Sequence, residues 1–189
     1  STACFDVEYE FPFGWSELEG IADRGTFDLD QHNEYSGKKQ QYFDPQTNER
    51  IIPAVVESSA GVDRTFLTCL VDAYCEEEVR GEKRIVLKLD PKIAPITCAV
   101  LPLVKKDGLP EIARKIVEDV RTKYSALFDQ GGSIGRRYRR QDEAGTPFGV
   151  TVDHQTIEDG TVTLRDRDTM EQIRIPGEKI LAELQSRIK

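Results

Sequence analysis

The sequence predicts a mixed α/β (α+β) protein in two parts: an antiparallel-strand part over residues 1–90 and a small α/β domain with a mixed sheet over residues 91–189. Apolar residues alternate early in the first part, whereas the second part combines continuous apolar runs with a helical repeat. The net charge also differs between the two parts. The first part has 9 basic and 19 acidic residues, a net of −10, and the second has 17 and 15, a net of +2.

The first part is predicted to consist of strands interrupted by helices. Its opening segment has an apolar side chain at every second position, the period of a strand. From residue 61 onward apolar residues recur at spacings of three and four, the period of a helix. The predicted elements are, in order, strands over 5–11 and 14–22, a helix over 27–35, a hairpin over 42–56 and a helix from residue 61.

The second part is predicted to alternate strands and helices. The apolar run over 96–104 is typical of a strand that is covered on both faces. Residues 109–128 have a strong amphipathic repeat, and Pro110 suits the first turn of a helix. The remaining predicted elements are strands over 148–152, 161–164 and 172–175 and a closing helix over 178–188.

Composition excludes several classes of protein. The chain of 189 residues is 38% hydrophobic and 32% charged, as expected for a globular protein. No apolar run reaches the roughly 18 to 20 residues that span a bilayer, and no signal pattern begins the chain, so a cytoplasmic location is expected. The four cysteines form no closely spaced pair and only two histidines occur, which argues against a zinc site and against disulfides.

The segment over 56–66 has the chemistry of a phosphate site. It predicts a buried strand that enters a turn of small residues and then a helix with Arg64 in its first turn. Gly61 allows a ligand to approach the backbone, and Arg64 with free N–H groups at the helix start favours a polyphosphate. A capped helix followed by a surface arginine would account for the same pattern.

A basic cluster lies in the second part. Four arginines surround Tyr138, at positions 136, 137, 139 and 140. Arginines provide phosphate contacts, and an aromatic ring can stack on an unpaired base. A solvated charged loop is the alternative explanation for such a cluster.

Several blocks of this sequence resemble one enzyme family. Gly61-Val-Asp-Arg64, between a strand and an apolar helix, resembles motif 3 of the class II aminoacyl-tRNA synthetases. Further blocks, over nearly the whole chain, resemble the α2 glycyl-tRNA synthetases and their anticodon-binding domain. These blocks are residues 11–22, 27–32, 56–64, 96–106, 132–138, 142–143 and 164–168. The resemblance implies the end of a class II antiparallel-sheet catalytic core followed by an anticodon-binding domain.

The resemblance also implies substrates and their binding residues in the first part. ATP and glycine are the expected small substrates, and Mg²⁺ is expected on Glu17. Arg64 and Glu57 are the expected catalytic residues, with Arg64 on the ATP γ-phosphate. The expected ATP contacts are Glu17, Leu18, Gly61, Val62, Asp63 and Arg64. The expected glycine contacts are Glu57, Ser58, Ser59, Ala60 and Gly61.

In the second part the resemblance implies binding of the anticodon stem-loop of glycine tRNA. Asp142 and Glu143 are expected to accept hydrogen bonds from cytosine amino groups. The complete expected set is Arg136, Arg137, Tyr138, Arg139, Arg140, Asp142, Glu143, Arg165 and Arg167.

The sequence departs from the family pattern in one respect. Motifs 1 and 2, which carry the dimer interface and half of the ATP clamp, are absent. We therefore expect this chain to be the C-terminal part of a homodimeric parent enzyme and to be inactive by itself. Two alternatives remain open: a tRNA- or nucleic-acid-binding module that has lost catalysis, and a threonine, proline or histidine synthetase of the same subgroup.

Overall fold

The computed structural model describes residues 3–79 and 81–188. The chain divides into two compact units with a boundary between residues 71 and 72. The domain boundary near residue 90 stays a prediction. By their contacts, however, the strands at Tyr74–Val79 and Glu82–Leu87, which precede that boundary, belong to the second unit. None of the described helices is long and apolar enough to cross a membrane.

The first unit contains a three-stranded antiparallel sheet in the order β1-β2-β5, a separate two-stranded hairpin β3-β4, and two helices. The strands are β1 (Ala3–Phe11), β2 (Gly14–Gly25), β3 (Tyr42–Asp44), β4 (Glu49–Ile51) and β5 (Val55–Ala60). The helices are α1 (Phe27–Ser36) and α2 (Val62–Ala73), the second of which crosses the unit boundary. The predicted first two strands, the helix α1 and the start of α2 are confirmed.

The predicted turn of small residues before Gly61 is wrong. Residues 57–60 continue β5, which pairs with β2 so that Ser59 lies opposite Gly20. The hairpin predicted over 42–56 also ends earlier, at Ile51, and Pro53 follows between β4 and β5. Proline has no N–H for a ladder hydrogen bond, so it separates the two strands.

Little of the first unit is buried. Among its described residues Phe11 alone is buried, and it packs edge-on against Tyr9 and stacks on Phe13. The expectation of a buried strand and a buried helix is not met here, since Val56 is 70% and Phe66 64% exposed.

The second unit contains a five-stranded mixed sheet in the order β12-β11-β10-β8-β9. The strand β8 is parallel to β10 and to β9, whereas β10-β11 and β11-β12 are antiparallel. The predicted mixed sheet is confirmed. Its strands are β8 (Cys98–Pro102), β9 (Ala126–Phe128), β10 (Phe148–Val152), β11 (Thr161–Asp166) and β12 (Gln172–Pro176).

Four helices accompany this sheet: α3 (Leu109–Arg121), α4 (Ile134–Ala144), α5 (His154–Asp159) and α6 (Ile180–Arg187), the last preceded by a short 3₁₀ turn (Gly177–Lys179). The apolar side of α3 packs on β8 and forms one continuous core with β10, β11 and α6. Its members Val100, Leu109, Val120 and Leu184 are fully buried. Burial of such side chains contributes about 1.5–3 kcal/mol each to folding.

The helix predicted over 109–128 ends at Arg121. Thr122 closes its last turn by donating its N–H to the Asp119 carbonyl at 3.3 Å. Ser125 then accepts the N–H of Cys98 at 3.2 Å, which starts the parallel pairing of β9 with β8. Pairing with a distant strand overrides the local helical period.

The sequence analysis missed three elements of this unit: α4, α5 and a hairpin formed by β6 (Tyr74–Val79) and β7 (Glu82–Leu87). The hairpin packs on α4. Its buried side chains include Val86 and Arg84. The helix α5 begins with a capping box, in which Asp153 accepts the N–H of Thr156.

Candidate functional site

In the first unit, Arg64 is held beside strand β2. It lies in the first turn of α2 and donates hydrogen bonds from Nη1 to the Ser16 hydroxyl, at 3.0 Å, and to the Glu17 carbonyl. Gly61 starts the helix, because its carbonyl accepts the N–H of Thr65 at 2.9 Å. The side chain of Arg64 remains exposed. The predicted ATP contacts at Glu17 and Arg64 are therefore neighbours in the structure.

The predicted glycine contacts lie on the strand that pairs with β2. In this register Ala60 lies opposite Glu19 and Ser59 opposite Gly20. The Ser58 hydroxyl also donates to the Glu19 carboxylate. Strand pairing thus places residues 57–60 opposite residues 19–22 of β2, and the exposed side chains along β5 remain open to a ligand.

Arg24, which was not among the predicted site residues, lies beside Glu57. Its Nε is 3.4 Å from Glu57 Oε2, and its guanidinium makes two hydrogen bonds of 2.8 Å to Asp28. Hydrogen bonding to Asp28 and the nearby charges of Asp28 and Glu57 raise the pKa of Arg24. Glu57 therefore already faces one fixed positive charge. The sequence alone did not show this neighbour, because it depends on the β2–β5 register.

The surroundings of Glu17 suit a divalent cation. The Glu17 and Asp6 carboxylates both lie over Gly20: a Cβ at that glycine would be 3.3 Å from Glu17 Oε1 and 3.7 Å from Asp6 Oδ1. Among the described residues no group of three or more potential ligands occurs. Mg²⁺ is often held by one or two carboxylates together with substrate phosphates, so this pair fits such an ion.

In the second unit the basic cluster lies on α4 and is divided between two faces. Arg136, Arg139, Arg140 and Glu143 are exposed. Arg139 pairs with Glu82 at the tip of the hairpin. Arg140 donates to Asp129 at 2.5 Å and to the Gly131 carbonyl at 2.7 Å. Guanidinium groups at this degree of exposure remain accessible to an external phosphate, because surface pairs are weak.

Arg137 points the other way and is 2% exposed. It donates to the carbonyls of Pro102 at 2.5 Å, Leu103 at 3.3 Å and Asp129 at 3.4 Å, where β8 and β9 end. Burial lowers the pKa of Arg137, with Asp129 opposing that effect. The side chain fastens α4 to the sheet, so the expected contact between Arg137 and tRNA is not supported.

The ring of Tyr138 is half-buried and packs against its neighbours. The Arg165 guanidinium lies 4.8 Å from the ring centroid. Gly149 lies so close that a Cβ there would be 2.6 Å from Tyr138 Cε1. The hydroxyl is 2.5 Å from Thr151 Oγ1, and burial raises the pKa of Tyr138. These contacts pack the tyrosine within the unit, and the stacking of a base on its ring stays a prediction.

Asp142 is also occupied by the protein itself. It is 2% exposed and accepts hydrogen bonds from Arg165 at 2.8 and 3.2 Å and from Arg84 Nε at 2.9 Å. Both carboxylate oxygens thus bind arginines and the side chain is buried, so the predicted hydrogen bond to a cytosine amino group would have to compete with these internal contacts. Glu143, next in sequence, is exposed.

Arg167 completes this buried group at 2% exposure. It donates to the carbonyls of Leu89 and Gly145, both at 2.8 Å, and pairs with Asp168. Arg167 therefore connects the end of the hairpin to the C-cap of α4 rather than lining an exposed surface.

A cleft of about 420 Å³ opens beside α4, and its lining combines exposed and buried members of the cluster. Its walls come from the hairpin, α4, β11 and the start of β12. Glu82, Arg139, Met170 and Gln172 are among its lining residues. A volume of this size lies within the range of small-ligand sites.

Comparison with known proteins agrees with this architecture. Residues 97–187, most of the second unit, match the family described as the anticodon binding domain. The chain is 57% identical over 189 residues to the glycine–tRNA ligase of Caldanaerobacter subterraneus, covering 100% of this chain and 41% of that protein. The corresponding enzyme of Treponema denticola is 51% identical over 191 residues, covering 98% of this chain and 42% of the relative. The chain is thus similar over its whole length to glycine–tRNA ligases, and it spans about two fifths of the length of these relatives.

Proposed function

We propose that the protein carrying this chain is a cytoplasmic glycine–tRNA ligase, which activates glycine with ATP and transfers it to glycine tRNA. The observation that carries this proposal is the 57% identity to such a ligase over the whole chain. The juxtaposition of β2, β5 and the start of α2 supports it, because these elements bring Glu17, Glu57 and Arg64 to one region of the first unit.

The proposed reaction has two steps. A carboxylate oxygen of glycine attacks the α-phosphorus of ATP, the bond between the α- and β-phosphates breaks, and pyrophosphate leaves. A ribose hydroxyl at the tRNA 3′ end then attacks the glycyl carbonyl, and AMP leaves. Such steps require alignment and charge neutralisation more than a protein nucleophile.

In the first step Arg64 would neutralise the ATP γ-phosphate. Its guanidinium is already oriented by Ser16 and the Glu17 carbonyl, which reduces the ordering required when the nucleotide binds. The N–H groups of Val62 and Asp63 begin α2 and would face the same phosphates. Mg²⁺, when bound by Glu17 and Asp6, would add positive charge at the phosphates.

The segment 57–61 would bind glycine. The Glu57 carboxylate would attract the ammonium group of glycine, and Ser58 and Ser59 would add hydrogen-bonding groups. Because glycine has no side chain, its pocket must also exclude larger amino acids. Arg24 beside Glu57 fixes that carboxylate on one side of the site.

For tRNA binding we propose the exposed face of α4. Arg136, Arg139 and Arg140 would contact backbone phosphates, and Glu143 would accept from a cytosine amino group. Arg137, Tyr138, Asp142, Arg165 and Arg167 would support this face from beneath. The cleft beside the helix would accommodate an unpaired base of the anticodon loop.

A chimaera tests the proposed activity. The matching segment of the Caldanaerobacter subterraneus ligase is replaced by these 189 residues, and glycine-dependent ATP–pyrophosphate exchange and tRNA charging are measured. We expect both activities. A second chimaera carries the corresponding segment of the Clostridium acetobutylicum glycine–tRNA ligase, which is 51% identical to this chain. If the control chimaera is active and the test chimaera is folded but inactive, the proposal is contradicted. If the test chimaera binds tRNA but shows no exchange, the chain is a non-catalytic tRNA-binding module.

The same chimaera tests a homodimeric assembly, which we propose for the whole protein from its resemblance to the α2 enzymes. Light scattering should give twice the mass of one chimaeric chain. A monomer that charges tRNA would contradict this part of the proposal.

A further inference from the structure

The hairpin β6–β7 lies outside the matched residues 97–187, yet it is joined to them by buried charged groups. Arg84, on β7, is 6% exposed and its three guanidinium nitrogens contact three different partners. Nε donates to Asp142 at 2.9 Å, Nη2 to the Arg167 carbonyl at 2.6 Å, and Nη1 to Glu77 on β6.

The charge of Arg84 is well compensated. Burial opposes that charge, but hydrogen bonds and attraction from Asp142 and Glu77 outweigh it and raise the pKa of Arg84. Burial likewise opposes ionisation of Glu77, whereas Arg84 and Lys88 lower its pKa. The guanidinium is therefore a permanent, directional connection between the hairpin and α4.

The connection is reciprocal. Arg84 on the hairpin donates to the carbonyl of Arg167, and Arg167 donates to the carbonyl of Leu89, just after the hairpin. Leu89 also packs against Gly145, the C-cap of α4, where a Cβ would be 2.7 Å from Leu89 Cδ1. Two buried arginines and one close backbone approach thus fix the hairpin against α4.

We propose that Arg84 is a positioning residue for tRNA binding, an inference that rests on the proposed role of α4. By holding Asp142, it fixes the rotation and the position of the helix that carries Arg136, Arg139 and Arg140. Asp142 in turn orients Arg165 over Tyr138. Without this connection the exposed arginines would not reach successive phosphates together.

The test uses the whole chain with the variants Arg84→Lys and Arg84→Met and a labelled anticodon stem-loop of glycine tRNA. Arg84→Lys keeps the positive charge but cannot make the three directional contacts. We expect both variants to bind about tenfold more weakly, with a smaller dependence of log Kd on log salt, because fewer phosphates are contacted at once. Circular dichroism well below the unfolding temperature checks that each variant is folded. If Arg84→Met does not fold, the result for Arg84→Lys decides the outcome.

The matched control is Lys83→Ala. Lys83 has the same charge, lies on the same strand and pairs with exposed Glu76 rather than with α4. It should change the affinity less than twofold. An effect as large as that of Arg84→Lys would show that the hairpin contacts RNA directly and would overturn the positioning role.

A double-mutant cycle with Arg139→Ala separates positioning from stability alone. If Arg84 acts through α4, the two losses of affinity are not additive. If both Arg84 variants keep the affinity and the salt dependence of the unmodified chain within twofold, the positioning role of Arg84 is overturned and the proposed role of α4 is not affected. Absence of binding by the unmodified chain would overturn the proposed role of α4 as well.

Discussion

Arg64 in the first unit and Arg167 in the second both lie beside a helix end, but their surroundings differ. Arg64 is exposed and contacts the Ser16 hydroxyl and one carbonyl. Arg167 is 2% exposed and donates to two carbonyls from different elements. The exposed arginine remains available to a phosphate, whereas the buried one connects parts of the fold. The residue type does not distinguish these two roles, whereas the burial of the side chain does.

The same contrast holds for the two units as wholes. The second unit has a continuous apolar core and places several arginines at its margin, where they satisfy carbonyls and Asp142. In the first unit Phe11 alone is buried among the described residues, and large apolar side chains such as Trp15 and Phe66 are exposed. The first unit therefore presents its predicted site residues openly, and the second unit uses most of its predicted site residues as supports.

The largest expected effect is on stability, from Arg167→Met. Two carbonyls would lose a buried charged donor, and the free energy of unfolding of the second unit should fall by about 3 kcal/mol. Urea denaturation of the chain measures this loss. Arg136→Met, on the exposed face of α4, is the control and should change stability by less than about 0.5 kcal/mol. Equal effects of the two substitutions would remove the distinction between supporting and exposed arginines.

A smaller effect in energy, but a clear one in rate, is expected for Arg64→Ala in the active chimaera. Loss of a charge-assisted contact to phosphate should lower ATP–pyrophosphate exchange about a hundredfold, or about 2.7 kcal/mol. Glycine binding should change much less. Arg50→Ala, an exposed arginine beside Phe43 in the same unit, is the control. Exchange within threefold of the unmodified chimaera would make Arg64 an ordinary surface residue.

The smallest effect concerns pH and Asp153. The hydrogen bond from Arg174 is the main cause that lowers the pKa of Asp153 below its ordinary value. Its stabilising contribution is therefore complete above pH 4 and is lost as the pH falls through the lower, folded-state pKa. Asp153→Asn keeps an N-cap side chain but removes the charge.

The measurement is urea denaturation of both chains between pH 6 and pH 2.5. At pH 6 the unmodified chain should be more stable by about 1 kcal/mol, and the difference should shrink as the pH falls toward 2.5. A difference that is independent of pH would show that the Asp153–Arg174 pair contributes no charge-dependent stability.

Much of the fold could be predicted because apolar periodicity follows burial. The alternation that begins at Phe5 predicted β1, and the apolar stripe of α3 predicted a core helix. The end of that helix could not be predicted, because β9 forms through pairing with β8, a contact distant in sequence. Local propensity does not contain that information.

The helix α4 escaped prediction for a different reason. Its buried positions are Arg137, Gln141 and Asp142, so no apolar stripe marks its inner side. Arg84 on β7 is likewise a charged residue at a buried position, so it breaks the apolar pattern, although its alternation with buried Val86 is typical of a strand. Resemblance indicated this segment as part of a tRNA-binding surface, but only tertiary contacts separate Arg139, which is exposed, from its buried neighbours.

The reciprocal bonds between Arg84 and Arg167 have a practical consequence for protein engineering. A graft of this anticodon binding domain that started at residue 97, where the family match begins, would leave behind Leu89 and the guanidinium that holds Asp142. In the recipient, Asp142 would keep its hydrogen bonds from Arg165 but lose the one from Arg84, and Gly145 at the C-cap of α4 would lose its contact with Leu89. A graft that starts at Tyr74, the first residue of β6, transfers the hairpin with the helix that it holds.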